Sequence, residues 1–266
     1  MGQPEPVGVG SDRSLSPAVS RAAAVLQLLA GRPKHPFGIS EIARELQIPK
    51  SSASNICGEL AVANLVRRTD LGYQLGPALA HLGAAYVSTV DQVRDFHEAC
   101  ERFAGNLEPL QLGVLTEGPG VLYLARHEGD QALRLVSDVG RRLPASHTAI
   151  GKAILASLPD KELQAHLSKV RRLPTPTDRS LRSVRDLLAE LEVTRQRGYG
   201  LDDEETVEGL LCVAAVVPGT DREPSRSAVS HTMLRSRATE AHIEQVVPVV
   251  RRIASEIGVR SGAVHD

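Results

Sequence analysis

The sequence predicts an α+β protein of two domains: a small winged helix-turn-helix head, a linker helix, and a larger domain of antiparallel strands backed by helices. Three observations predict it. Between Gly38 and Gly76 two short helical stripes flank a tight turn, and a strand-turn-strand pattern follows. From Leu79 to Val90 an apolar stripe runs on without a strong breaker. From Glu108 onward the period shifts to strands, with helical segments set between them.

Residues 1–13 are rich in Gly and Pro and poor in large apolar groups, the composition of a disordered tail. The head covers residues 14–76. Its first helix starts near Pro17, carries Ala22, Val25, Leu26 and Leu29 on one stripe, and ends around Gly31-Arg32-Pro33. Ser40 is placed to cap a second helix with Ile42, Ala43 and Leu46 inward and Ile39 stapling its entry. The turn at Gln47-Ile48 leads to Pro49, suited to the first position of a third helix. There Ala53, Ile56, Cys57 and Leu60 recur at i, i+3, i+4 and i+7, which makes one buried face. Leu65-Val66 and Tyr73-Gln74-Leu75, around Asp70-Leu71-Gly72, form the two strands of a wing.

A linker helix is expected over residues 77–92, with Leu79, Leu82, Gly83, Tyr86, Val87 and Val90 on one face. The small head offers little surface to cover that face, so a partner chain is the expected occupant. The larger domain, residues 93–262, opens within a helix over Asp91–Asn106 that turns Val93, Cys100, Phe103 and Leu107 inward. Leu110–Thr116 and Val121–Ala125 flank Gly118-Pro119-Gly120 as a hairpin, and Leu133–Val136 reads as a third strand. Helices follow at Ala149–Ser157 and Asp160–Val170, then a Pro-rich stretch Leu173–Thr177, then a long helix Leu181–Arg197 stopped by Gly198. Gly209–Val217 and Ala228–Ser230 are strands. A last amphipathic helix, Glu240–Gly258, carries Ile243, Val246, Val247, Val250 and Ile253.

Composition narrows the function. The chain of 266 residues is 42% hydrophobic but only 3% aromatic, so its cores pack aliphatic side chains. It has no apolar run long enough to span a membrane, and residues 1–13 lack a signal-peptide core. Three scattered cysteines give neither a disulfide framework nor a zinc site, and a reduced cytoplasm is the expected location. The net charge of −1 hides an asymmetry: residues 14–76 hold seven Lys/Arg against four acids, on an otherwise acidic chain. A basic head fits a phosphate-binding module. His147, Asp202 and Cys212 come without a nucleophile elbow, phosphate loop or metal spacing, so no enzyme, cofactor or metal is expected.

On the third helix Lys50, Ser51, Ser52, Ser54 and Asn55 occupy the first two turns, where Ser and Asn reach base edges or backbone and the helix start favours phosphate. Arg67 and Arg68, which precede the wing, are expected on phosphate. The partner is therefore double-stranded DNA, read by a head placed in the major groove.

Several separated motifs resemble the IclR family of bacterial transcriptional regulators, over about residues 14–260. They are Glu41-Ile-Ala43, Leu46, Pro49-Lys-Ser51 and Gly72–Gly76 in the head, and Thr148–Ala156, Thr175-Pro-Thr177, Arg197-Gly-Tyr199, Asp202–Glu205 and Gly209–Ala215 beyond it. The resemblance implies a GAF-like effector-binding second domain and a homo-oligomer, dimer or tetramer, on near-palindromic operators. It implies a regulator, expected to repress, whose DNA binding responds to a small-molecule effector such as an organic acid. It places the effector among Thr148, Ala149, Asp202, Cys212, Ala228 and Ser230. Thr148 and Ala149 fall at a helix start, where free N–H groups suit a carboxylate. Cys212 also reads as core filling in an apolar strand. Two departures stand out. Ser51-Ser-Ala-Ser-Asn55 has an amide where the family commonly has Arg, and Ala228-Val-Ser-His-Thr232 lacks the family's Ser-x-Ser-Gly-Pro turn. A DNA-binding factor without any ligand is the alternative, and a second domain packed solid with aliphatics would favour it.

Overall fold

The computed structural model describes residues 15–107, 109–128, 138–168, 170, 172–219 and 224–260. The tail of residues 1–13 and the strand expected at Leu133–Val136 lie outside the described residues. The chain divides into two compact units between Tyr86 and Val87.

In the first unit, α1 (Pro17–Gly31), α2 (Ile39–Glu45) and α3 (Lys50–Val62) close on Val25, Leu29, Phe37, Ile42, Ala53, Cys57 and Val66. The wing is β1 (Val66–Thr69) paired antiparallel with β2 (Gly72–Leu75). Two expected caps are corrected. Ser40 lies inside α2, whose cap is Gly38: the Gly38 carbonyl already accepts from the N–H groups of Glu41 and Ile42. The chain turns early because Phe37 is tied to Tyr73 through both backbone groups, at 3.0 and 2.9 Å. Pro49 is likewise the cap of α3 rather than its first residue. Gly72, at φ +144°, lets the wing approach Phe37, since a Cβ there would press on the Phe37 carbonyl.

The expected linker is α4 (Ala78–Ser88), and it buries none of its side chains; Leu82 and Tyr86 are 54% and 51% exposed. A separate helix, α5 (Asp91–Phe103), then packs into the second unit through Phe96, Ala99 and Cys100.

The second unit is built on β3 (Leu110–Leu115), β4 (Gly120–His127), β5 (Arg142–Pro144), β6 (Gly200–Asp203), β7 (Leu210–Val216) and β8 (Ser227–Leu234). They form one antiparallel sheet in the order β5-β4-β3-β8-β7-β6. Its helices are α6 (Ala149–Ser157), α7 (Asp160–Leu167), α8 (Val184–Arg197) and α9 (Glu240–Arg260). Strand alternation sorts the side chains between two layers. Leu112, Val213 and Val229 face α5 and α9, with Phe96 and Ile253. Leu115, Val121, Ala214 and Ala228 face α6 and α8, with Ile150, Ile154, Leu187 and Leu191. The short strands β5 and β6 were not expected. One contains Pro144 and the other two Asp residues, and packing rather than propensity holds them. The α8 helix starts at Val184, three residues later than expected. Ser183 caps it by accepting from Asp186 N–H, and Ser180 is held back by donating to the Glu205 carbonyl.

His231 on β8 is buried, and that burial, with His242 nearby, pushes its imidazole down to about 4 against the hydrogen bond to the Pro109 carbonyl. A lowered folded pKa gives stability that is whole above the unfolded value of 6.5 and is lost as pH falls toward 4. Between pH 7 and pH 5 the His231 share of that loss is about 2 kcal/mol. His231→Gln is expected to remove it, seen as a flatter dependence of melting temperature on pH than the unsubstituted protein gives.

Candidate functional site

The first unit presents α3 as its polar face. Lys50, Ser51, Ser54 and Asn55 are exposed, opposite buried Ala53, Cys57 and Leu60. Pro49 supplies no side-chain acceptor to the first N–H groups of α3, so they stay open to an anion. Ser52 is different: it is half-buried and accepts from Arg21 Nη1 at 3.3 Å, which turns it toward α1. Arg67 and Arg68 lie within the first wing strand, both exposed, and Arg67 Nη2 donates to Gln74 Oε1 at 2.9 Å.

In the second unit the sheet face under α6 carries polar groups in two cross-strand rows. Asp202, Cys212 and Thr232 stand side by side on β6, β7 and β8. Gln111 on β3 is opposite Ser230 on β8. These five residues line a cavity with Tyr123, Leu143, Thr206, Val207, Leu210 and the first turn of α6 at Thr148, Ala149 and Ile150. Its empty space is about 420 Å³ with the open mouth included, and its enclosed part has room for a few waters. The second unit is therefore not packed solid on this face of the sheet.

Of the six residues expected around an effector, Thr148, Ala149, Asp202, Cys212 and Ser230 line this cavity. Ala228 does not: it is fully buried in the layer beneath α6. Thr148 caps α6, accepting from Gly151 N–H at 3.1 Å and donating to the Pro144 carbonyl at 3.2 Å. Its hydroxyl is spent on the fold. Asp202 Oδ1 accepts from the N–H groups of Glu205 (2.8 Å) and Thr206 (3.2 Å). Burial raises the Asp202 carboxyl pKa, opposed by those hydrogen bonds and by the charge of Lys152. The Cys212 sulfur meets Thr232 Oγ1 at 3.2 Å, and burial pushes its thiol far up, so it is no nucleophile. Gln111, Tyr123, Thr206 and Thr232 escaped the sequence reading. Strand alternation from Ser230 would have found Thr232, and register across β3 would have found Gln111.

Beside the cavity, Lys152 is fully buried on α6 with its Nζ 2.5 Å from Glu205 Oε1 and 3.5 Å from Glu190 Oε1. Burial raises the Glu205 carboxyl to about 7 even with that ammonium beside it. His147 is engaged at both ring nitrogens, by Ser146 Oγ at 2.7 Å and the Leu181 carbonyl at 3.1 Å, and does not line the cavity. Among the described residues no cluster of His, Cys, Asp and Glu could hold a metal ion, and no helix is long and apolar enough to cross a membrane.

Residues 84–259 match the family described as bacterial transcriptional regulator IclR C-terminal, and residues 18–70 match the IclR helix-turn-helix domain. The chain belongs to the IclR family. The HTH-type transcriptional regulator KdgR of Dickeya chrysanthemi is 34% identical over 189 residues, which cover 70% of this chain and 61% of that relative. KdgR of Escherichia coli K12 is 30% identical over 234 residues, 86% of this chain and 87% of that one. The crystal structure of the Thermotoga maritima IclR superposes with a TM-score of 0.67 at 28% identity, over 92% of this chain and 98% of that one. An IclR homologue from Microbacterium hydrocarbonoxydans complexed with 4-hydroxybenzoate shares the fold, with a TM-score of 0.68 at 22% identity over 93% and 100% of the two chains. As an IclR protein the chain is a DNA-binding transcriptional regulator, not an enzyme.

Proposed function

We propose that this IclR protein works in the bacterial cytoplasm as a homodimer or tetramer on near-palindromic operators, and that a small organic acid in the second unit modulates its grip, with repression as the ordinary direction. The observation that carries the reading is the cavity. Polar groups from five strands and the start of α6 converge there. The bare apolar face of α4 supports pairing of chains, since two copies covering each other remove it from water. A carboxylate suits the first N–H groups of α6, and Asp202, whose Oδ1 is taken by the N–H groups of Glu205 and Thr206, keeps its other oxygen for a ligand hydroxyl. A ligand shifts DNA binding only by its differential affinity for the two states of the protein.

The test is a panel of organic acids scored by thermal shift, alone and with DNA from upstream of the protein's own gene. A ligand at one hundred times its Kd should stabilise by about 2.7 kcal/mol. No shift from any acid, with DNA binding intact, would instead establish a ligand-free factor. On the head, Asn55→Ala should change preference among bases by roughly 1–3 kcal/mol. Arg68→Ala should weaken all sequences alike and lower the salt slope by about one unit. Equal losses across sequences for Asn55→Ala would remove it from base reading.

A further inference from the structure

The wing is wider than its two strands. Phe37 pairs with Tyr73 through both backbone groups, so the segment before α2 lies as a third strip against β2. Gln74 locks that strip from its side chain. Its Oε1 accepts from Arg67 Nη2 at 2.9 Å while its Nε2 donates to the Lys34 carbonyl at 3.3 Å. One amide thus holds a wing cation with one hand and the backbone of a loop cation with the other. Lys34 is exposed, as are Arg67 and Arg68, and Arg32 adds a guanidinium 5.7 Å from the centre of the Phe37 ring. The nearby acid on α2, Glu41, is engaged by His35 at 3.1 Å. Two segments far apart in sequence, residues 32–37 and β1, therefore bring four cations to one small sheet, with β2 between them.

We propose that Lys34 is a DNA-phosphate contact of this head, and that Gln74 is the positioning residue that sets Lys34 and Arg67 as one clamp on the duplex backbone. The inference rests on the DNA-binding role of the head and adds to it a residue from the α1–α2 loop. An anionic polymer with regularly spaced charges is the partner such a strip fits, and phosphate contacts carry no base preference.

The experiment uses the full chain and a 30-base-pair mixed-sequence duplex, with affinity followed from about 50 to 200 mM salt. Lys34→Ala should lower the slope of log affinity against log salt by about one unit and weaken binding roughly five- to tenfold near 0.1 M salt. Lys34→Arg should restore both. Arg185→Ala, which removes an exposed cation from α8 in the other unit, serves as the control and should change neither. Lys34→Ala made together with Gln74→Ala should cost less than about half of what it costs alone, because the amide no longer holds the loop. A Lys34→Ala protein that matches the Arg185→Ala control overturns the contact. Strictly additive losses, with Gln74→Ala lowering only the melting temperature, overturn the positioning role. An unsubstituted protein without salt-sensitive binding to any duplex would instead fail the DNA-binding reading itself.

Discussion

Lys152→Ala is expected to destabilise the second unit by about 3–5 kcal/mol, read from urea unfolding of the full chain. The ammonium is fully buried between Glu205 and Glu190, so removing it takes the counter-ion from the largely buried Glu205 carboxylate. Glu190 keeps a partner in Arg197, at 3.0 Å, whereas the second oxygen of Glu205 has no hydrogen-bond partner among the described residues. The loss should therefore fall on Glu205 and depend on pH. An acid whose folded pKa is about 7, above 4.5 unfolded, gives stability that is whole below 4.5 and lost as pH rises through 7. Without Lys152 that folded pKa climbs further. The defect should be larger at pH 8 than at pH 6, and Lys152→Met combined with Glu205→Leu should recover most of it. Equal stability of Lys152→Ala and the unsubstituted protein at pH 8 would show the pair to be solvated.

Gly200→Ala should cost about 3 kcal/mol or more and disturb the cavity as well. A Cβ at Gly200 would lie inside the van der Waals radius of the Ala149 carbonyl and only 2.8 Å from the Ala153 nitrogen. Both obstacles are helix backbone, which cannot rotate aside, so β6 or the first turn of α6 has to move. Ala149 and Asp202 sit on those two elements and both line the cavity. The substitution is expected to lower the melting temperature and abolish any ligand-induced shift, while the head keeps its affinity for mixed-sequence DNA. A Gly200→Ala protein that melts normally and still responds to ligand would show that the two elements slide freely.

The head was legible almost residue by residue, because α1, α3 and the wing follow their own periodicity: Ala53, Cys57 and Leu60 are buried where spacing puts them. Phe37 was not legible, since its burial comes from a backbone pairing with Tyr73 that no local pattern encodes. In the second unit the long strands and the helices α6 and α9 showed in the sequence, whereas β5 and β6 did not. Gly200-Leu-Asp-Asp203 becomes a strand because Gly200 fits against α6 and Asp202 closes a turn by accepting from Glu205 and Thr206. The cavity was half legible for the same reason. Asp202, Cys212 and Ser230 came from motif resemblance, while Gln111, Tyr123 and Thr232 reach it through register across the sheet.

The strand β6 ends the sheet on one side, and its character makes that edge a poor template for another strand. It is four residues long, it carries two acids, and Asp203 is held sideways by Arg179 and Arg235. An incoming extended segment would find a short, charged, clamped margin in place of a free ladder. Strand addition at that end of the sheet is thereby disfavoured by charge and by length.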